Sequence, residues 1–213
     1  MFSRVSRRRG SGDGGSRGPE DGGYQVGLPG SDWSPHRRLE RAAEAYFLHP
    51  DVALEAIGGV LGRHRVRGFT LERVVDLTEA GASVWQEAAV CDGRRLILWH
   101  SEEVADRTAP GGTVLDSSIQ VLPLAEVRHV GMRTLVGRDG AGARARRGVF
   151  VVVTTGAVQE LSAVALDEGG AGTARFRPEA FRFSKSLDDG GPGQIDRLVA
   201  FGELLGRLVP AAR

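Results

Sequence analysis

Cysteine is almost missing from this sequence of 213 residues, since Cys91 is the only one. A single thiol can form neither an internal disulfide nor a cysteine-rich metal cluster, so the reducing cytoplasm is the expected compartment. The chain also lacks the run of roughly 18 apolar residues that a membrane span needs. No apolar stretch follows the arginines near its N-terminus, as a secretion signal would require. We therefore predict a cytoplasmic protein with no transmembrane segment.

A strong net charge is missing as well. The chain has 28 basic and 27 acidic residues, which leaves a formal charge of +1. A field this weak does not attract nucleic acid in general, so no specific nucleic-acid partner is predicted. Lysine is nearly absent, because every basic residue except Lys185 is arginine. That bias is typical of the codon usage of a high-GC genome.

The first 33 residues have almost nothing to bury. They are rich in Gly, Ser, Arg and Pro, and such a composition does not offset the entropy lost on ordering, so the sequence predicts a disordered tail over residues 1–33. Ser34-Pro35 then forms a typical helix start, with a capping hydroxyl followed by a proline in the first turn. A second helix is expected to begin after His49-Pro50 and to stop at Gly62. The N-terminal helices are therefore predicted within residues 34–64.

From residue 65 onward, apolar residues recur with a period near 2, and β-branched residues and glycine-bearing breaks become frequent. This pattern predicts strands over residues 67–77, 83–91, 95–100, 118–122, 127–135, 148–155, 157–166 and 181–186. Apolar residues at helical spacing then predict an amphipathic helix over residues 193–209. Residues 65–213 are therefore expected to form one strand-rich domain with a C-terminal helix.

A meander of about seven strands followed by one long amphipathic helix resembles the pleckstrin-homology-like pattern. Residues 92–99 look like the turn and strand of bacterial pleckstrin-homology-like domains. Residues 119–127 are similar to the strand that follows in those domains and ends at a Pro-Leu corner. The resemblance implies an α+β fold: a pleckstrin-homology-like two-sheet β-barrel capped by a C-terminal helix and preceded by two N-terminal helices.

A closer resemblance is to an uncharacterised actinobacterial family of unknown function, sometimes loosely labelled phosphodiesterase. The resemblance spans about residues 48–208 and depends on short segments at residues 49–52, 95–103, 121–127, 181–184 and 198–205. Relatives are expected to have a cysteine-containing, metal-suggestive insertion before a Gly-Thr pair. Here residues 167–171, which directly precede Gly172-Thr173, contain no cysteine. A metal role is therefore not carried over from the resemblance, and no cofactor is predicted.

Residues suited to catalysis are scattered along the chain. The five histidines are isolated from one another: His36, His49, His64, His100 and His129. His100 with Glu102, Glu103 and Asp106 is the nearest arrangement to an acid–base site, and Cys91 beside a turn is a conceivable nucleophile. Acids in a loop usually serve solubility, and a lone cysteine is usually packed in the core. We therefore predict no catalytic residue and no metal site.

The densest basic patch of the folded part lies on the predicted strand 127–135 and in the loop 137–147 after it. It comprises six arginines: Arg128, Arg133, Arg138, Arg144, Arg146 and Arg147. Pleckstrin-homology domains that bind phosphoinositides use basic residues on strand-connecting loops, so the resemblance implies an anionic-ligand site here. The arginine bias of the whole chain favours the plainer interpretation of a solvated loop.

These features favour a cytoplasmic, non-enzymatic binding or scaffolding module that acts through a protein partner or through its own oligomer. Two alternatives stay open. One is binding of an anionic ligand or a membrane surface through the arginine-rich loop. The other is a phosphodiesterase-like hydrolase, as the family label implies.

Overall fold

The computed structural model of the chain describes residues 32–78, 81–106, 108, 112–138, 140, 142–163 and 174–210, with side chains outside residues 76–83 and 158–178. The helices in this part of the chain are α1 (Leu39–Tyr46), α2 (Pro50–Leu61) and α3 (Gly191–Leu208). The strands are β1 (Gly68–Thr78), β2 (Gly81–Cys91), β3 (Arg95–Ala105), β4 (Thr113–Pro123), β5 (Val127–Arg138), β6 (Arg144–Ala163) and β7 (Ala174–Ser186). None of the described helices is both long and apolar enough to cross a membrane.

The strands form two antiparallel sheets, one with the order β1-β2-β3-β4 and the other with the order β5-β6-β7. The α+β class and the two sheets expected from the sequence are therefore confirmed. The expectation of a barrel is wrong, because the described strands form two open sheets. At one side β4 turns into β5 through the buried corner residue Leu124 without pairing with it. At the other side β1 meets β7 through side chains, among them Glu72 and Lys185.

The N-terminal segment differs from its predicted boundaries. The first helix begins at Leu39 and not at residue 34. The backbone N–H and the hydroxyl of Ser34 both donate to the carboxylate of Asp32, at 2.9 and 2.8 Å, so this hydroxyl does not cap α1. Trp33, the last residue of the predicted tail, is fully buried in the core. Residues 1–31 of that tail lie outside the described residues.

The strands also extend beyond their predicted ends. The predicted strands 148–155 and 157–166 belong to one strand, β6, which has an irregular register between Thr154 and Val158. Gly156 therefore marks an irregularity within β6 and not a turn. Strands β5 and β6 reach into the predicted loop 137–147, because their hairpin pairing continues to Arg138 and Arg144.

The four-stranded sheet packs on both of its faces. One face meets α1 and α2 through residues such as Phe69, Ile97 and Trp99, and the other meets the second sheet and α3 through Leu96 and Leu98. Side chains alternate between the faces of a strand, so consecutive residues of β3 enter different cores. This arrangement explains why the middle of β3 is a continuous apolar run.

Helix α3 packs closely on both sheets. A β-carbon on Gly202 would lie 2.9 Å from Cγ2 of Val151, and one on Gly68 would lie 2.6 Å from Cδ2 of Leu204. Gly202 therefore favours glycine, because the short side chain of Val151 is fully buried and has little room to move, whereas at Gly68 the end of the Leu204 side chain would have to shift. The close approach places the face of α3 that carries Arg197 beside the link between α2 and β1.

Candidate functional site

A groove of about 1120 Å³ lies between the residues around the start of α1, the α2–β1 link and α3. We call it the arginine groove. Six arginines and one histidine line it: Arg37, Arg38, His64, Arg65, Arg67, Arg197 and Arg207. Glu40 is the only acidic residue among the lining residues. The groove is therefore strongly basic in a protein whose formal charge is only +1.

The floor of the groove is apolar. Leu61 at the end of α2, Phe69 on β1 and Phe201 on α3 are buried and contribute to its lining, together with the partly buried Leu204. Gly62 creates the space by ending α2 with a positive φ of 56°, which turns the chain out of the helix and into the basic link. The groove thus combines cationic walls with a floor that accepts apolar groups.

Arg197 is held on the aromatic rings at one end of the groove. Its guanidinium carbon lies 5.4 Å from the ring centre of Trp33 and 4.8 Å from that of Phe69, and the two rings are 5.5 Å apart. Burial, and then the charge of Arg37, lowers the pKa of Arg197, although arginine stays protonated at neutral pH. Cation–π contacts fix this side chain without using its N–H donors. No described residue forms an ion pair with it, so no described carboxylate neutralises its charge.

Few described carboxylates neutralise the other basic side chains of the groove. Arg38 lies 3.4 Å from Glu40, and Arg207 lies 3.8 Å from Glu203. Both pairs are well exposed to solvent, so they contribute little. Neither Arg65 nor Arg67 makes an ion pair with a described residue. The positive charge of the groove is therefore available to a ligand.

The six arginines predicted as an anionic-ligand site are only partly brought together. Four of them lie around the end of the β5–β6 hairpin: Arg138, Arg144, Arg146 and Arg147. A cavity of about 620 Å³ beside the first turn of α3 is lined by the last three of these. Arg133 instead lies over the ring of Phe150 at 5.3 Å, and Arg128 lies near Gly156, toward the opposite end of β5.

The hairpin arginines have internal partners. Arg146 donates to Asp196 on α3 at 2.7 Å. Arg138 donates to the carbonyl oxygen of Gly142 at 2.9 Å, and Arg147 donates to that of Arg138 at 3.4 Å. These contacts engage one nitrogen in each of three of the four guanidinium groups.

The predicted acid–base arrangement around His100 is divided between the faces of β3. Glu103 lies 3.2 Å from His49, whereas His100 lies 3.2 Å from Glu87 on β2. The hydrogen bond with Glu87 is the main cause of the raised pKa of His100. Glu87 is not among the residues predicted from the sequence, although the β2–β3 register places it directly opposite His100. Knowing that register would have been enough to find the pair.

Other reactive groups are buried or lack a suitable neighbour. Cys91 is fully buried between the two sheets, and burial raises the pKa of its thiol. No group of three or more His, Cys, Asp or Glu residues within the described ranges has an arrangement that could hold a metal ion. Lys185 is buried in an ion pair with Glu72 at 2.8 Å, close to Tyr46 and Asp189. This polar cluster joins the edges of the two sheets, and its members Lys185, Glu72 and Tyr46 are buried.

Comparison of the chain with protein-family models, with curated proteins and with solved structures found no match. The function is therefore inferred from the geometry of this chain.

Proposed function

We propose that this protein is a non-catalytic binding module that holds an acidic protein segment in the arginine groove. The observation that carries the proposal is the set of seven basic side chains around an apolar floor, with Glu40 as the only acid in the lining. Arginine binds carboxylates through a planar fork of N–H donors. The floor accepts the apolar side chains that flank those carboxylates in a polypeptide.

The size and lining of the groove favour a polypeptide over a small anion. Its volume of about 1120 Å³ exceeds the range of about 300–1,000 Å³ that is typical of small-molecule sites. A bare phosphate would contact the basic walls and leave the apolar part of the lining unused. A segment with alternating acidic and apolar residues covers both the walls and the floor.

A pleckstrin-homology-like architecture is part of this proposal. It is supported by the two antiparallel sheets and by α3, which packs across the core between them. In this arrangement the arginine groove lies beside α3 and the α2–β1 link, away from the β5–β6 hairpin. The binding surface would thus differ from the strand-connecting loops that phosphoinositide-binding domains use.

A non-catalytic role for the groove is supported by the position of the acid–base candidates outside it. His100 and Glu87 form one pair and His49 and Glu103 another, and none of the four residues lines the arginine groove. A phosphodiesterase-like hydrolase is the rival function. A metal-supplemented assay with a generic phosphodiester tests it, and turnover that disappears in His100→Ala would overturn the non-catalytic proposal.

The groove is tested with fluorescein-labelled peptides that alternate glutamate with leucine, measured by fluorescence anisotropy. We expect Arg65→Glu/Arg67→Glu to weaken binding by at least about tenfold, which corresponds to about 1.4 kcal/mol. Arg144→Glu/Arg147→Glu is the matched control, since it also reverses two exposed arginines but on the hairpin. We expect this control to bind the peptide like the wild type. A rise in salt concentration should weaken wild-type binding, because the contacts are solvent-exposed ion pairs.

The hairpin arginines are the second candidate site, favoured by the cavity that Arg144, Arg146 and Arg147 line beside α3. Vesicles that contain an anionic lipid separate the two sites. If the hairpin variant loses vesicle binding and the groove variant keeps it, while the peptide does not bind at all, the acidic-segment proposal is wrong. The anionic-ligand function of the hairpin then replaces it.

A further inference from the structure

Strand β4 is a free edge of the four-stranded sheet. It pairs with β3 along its whole length, from Arg95↔Pro123 to Ala105↔Thr113, without a register shift. None of the described strands pairs with its other side. The outward backbone N–H and C=O groups of β4 are therefore available to another strand.

The sequence of β4 has few of the features that usually protect an edge strand. Its only proline is the last residue, Asp116 is its only charged residue, and no bulge interrupts its pairing with β3. Its exposed apolar side chains are Val114, Ile119 and Val121, with exposed fractions of 45%, 37% and 40%. A long, regular and apolar edge of this kind favours pairing with another strand.

The outer edge of β5 is protected in the ways that β4 is not. Its pairing with β6 has irregularities at Val127/His129 and at Leu135/Val136. It also carries three exposed arginines: Arg128, Arg133 and Arg138. Bulges and long charged side chains both hinder edge-to-edge pairing. The contrast between the two strands makes β4 the edge that is suited to a partner.

We propose that β4 pairs in antiparallel fashion with β4 of a second copy of this chain, centred on Ser118. In this register Leu115 lies opposite Val121 of the second copy, and Val114 lies opposite Leu122. Asp116 lies opposite Gln120, so the only charge of each strand faces an amide and not its own copy. Opposite residues of an antiparallel pair share a face of the sheet, which allows each of these contacts. The strand is thus complementary to itself.

Neighbouring registers are less favourable. Centring the pair on Ser117 places Val114 opposite Gln120, and centring it on Ile119 places Asp116 opposite the buried Leu122. In the register centred on Ser118, each face has an apolar pair, Val114 with Leu122 on one and Leu115 with Val121 on the other, while Ile119 lies opposite Ser117. The two four-stranded sheets then form one continuous sheet across a two-fold axis, as expected of a symmetric homodimer.

Cysteine cross-linking tests both the partner and the register. Cys91 is fully buried, so a cysteine introduced on β4 is the reactive thiol. In Ser118→Cys the two new thiols lie opposite each other, and we expect a disulfide-linked dimer under mild oxidation. Gln120→Cys is the matched control on the same face. Its thiols lie four positions apart along the strand, or about 13 Å, and should not cross-link.

The mass in solution, measured by light scattering after gel filtration, completes the test. We expect the wild type to be a dimer and Ile119→Lys/Val121→Lys to be a monomer whose circular dichroism spectrum and melting temperature are close to those of the wild type. A monomeric wild type at its highest soluble concentration would overturn the proposal. So would a dimer in which Gln120→Cys cross-links and Ser118→Cys does not, or in which neither does.

Discussion

Arg197 offers the most informative single substitution in the arginine groove. Its guanidinium makes two cation–π contacts, at 5.4 Å with Trp33 and 4.8 Å with Phe69. Each is worth about 0.5–1 kcal/mol at an exposed site, so Arg197→Ala should lower the free energy of unfolding by about 1–2 kcal/mol. A hydrogen bond to a charged group contributes about 1.5–3 kcal/mol. Loss of one such hydrogen bond between Arg197 and a peptide carboxylate should weaken binding of the acidic peptide by about 10- to 100-fold.

Arg197→Lys keeps the positive charge but removes the planar set of N–H donors of the guanidinium, so it tests the two contributions separately. The ammonium group can still lie over Trp33 and Phe69, so stability should stay near that of the wild type. Peptide affinity should fall between those of the wild type and Arg197→Ala, because lysine cannot bind a carboxylate in the bidentate manner. Affinity is measured by fluorescence anisotropy, and stability by urea denaturation followed by circular dichroism.

Arg207→Ala is the matched control on the same helix. Arg207 also lines the groove but is exposed and does not lie over a described aromatic ring, so its side chain is less fixed and its removal should weaken binding much less. The role of Arg197 as the main anion-binding residue would be refuted if Arg197→Ala stayed folded and bound the peptide within about twofold of the wild type. An equal loss in Arg207→Ala would also refute it, because that result would reflect net charge alone.

Three further predictions concern groups outside the groove. Lys185→Met leaves the carboxylate of Glu72 buried without its partner at 2.8 Å and should lower the free energy of unfolding by about 3–5 kcal/mol in urea denaturation. Lys185→Met/Glu72→Leu should recover most of this loss, and an equally unstable double variant would contradict the ion pair as the cause. Burial raises the pKa of Tyr46 from 10.0 to about 12, so the folded state keeps this proton to higher pH than the unfolded state. Its contribution to stability is complete below pH 10 and is lost as the pH rises to 12; Tyr46→Phe should flatten that part of the pH–stability curve, and an unchanged curve would contradict it. The hydrogen bond with Glu87 raises the pKa of His100, so an NMR titration of its ring should give a midpoint above the ordinary value of about 6.5. The stability from this pair is present below that ordinary value and is lost as the pH rises through the folded-state pKa. Glu87→Gln should lower the midpoint, and a midpoint that does not move would exclude Glu87 as the cause.

Much of the secondary structure could be predicted because its signals are local. Gly62 ends α2, as expected of a glycine after the last apolar residue of a helix. The apolar stripe of the C-terminal helix includes Ile195, Leu198 and Leu205, which are buried in the central core. A helix stripe depends on residues three or four positions apart, so the sequence contains all of its information.

Strand ends and the first helix were harder to predict. Gly156 separates two predicted strands and is typical of a turn. Strand β6 nevertheless continues past Gly156, because β7 pairs with it on both sides of the irregularity between Thr154 and Val158. Ser34-Pro35 is a typical helix start, but the carboxylate of Asp32 engages the serine and the helix begins later. In the first case the deciding partner is a strand that is distant in the sequence, whereas in the second it is a residue only two positions away.

The candidate site could be predicted only in fragments. The basic residues 63–67 are visible in the sequence, but Arg197 comes from α3, and only the packing of α3 on β1 places it beside them. The predicted patch came together only in part, for a related reason. Arg128 and Arg138 are close in sequence, but an extended strand separates them by about 3.3 Å per residue.

The sequence by itself determined the α+β class, the strand-rich domain and the amphipathic C-terminal helix, because periodicity and turn residues act over a few positions. Tertiary structure alone decided that the sheets stay open, that Glu87 faces His100, and that six arginines surround an apolar floor. Those features depend on the register of strands and on the packing of α3. Register and packing minimise the free energy of the whole chain, so no short segment encodes them.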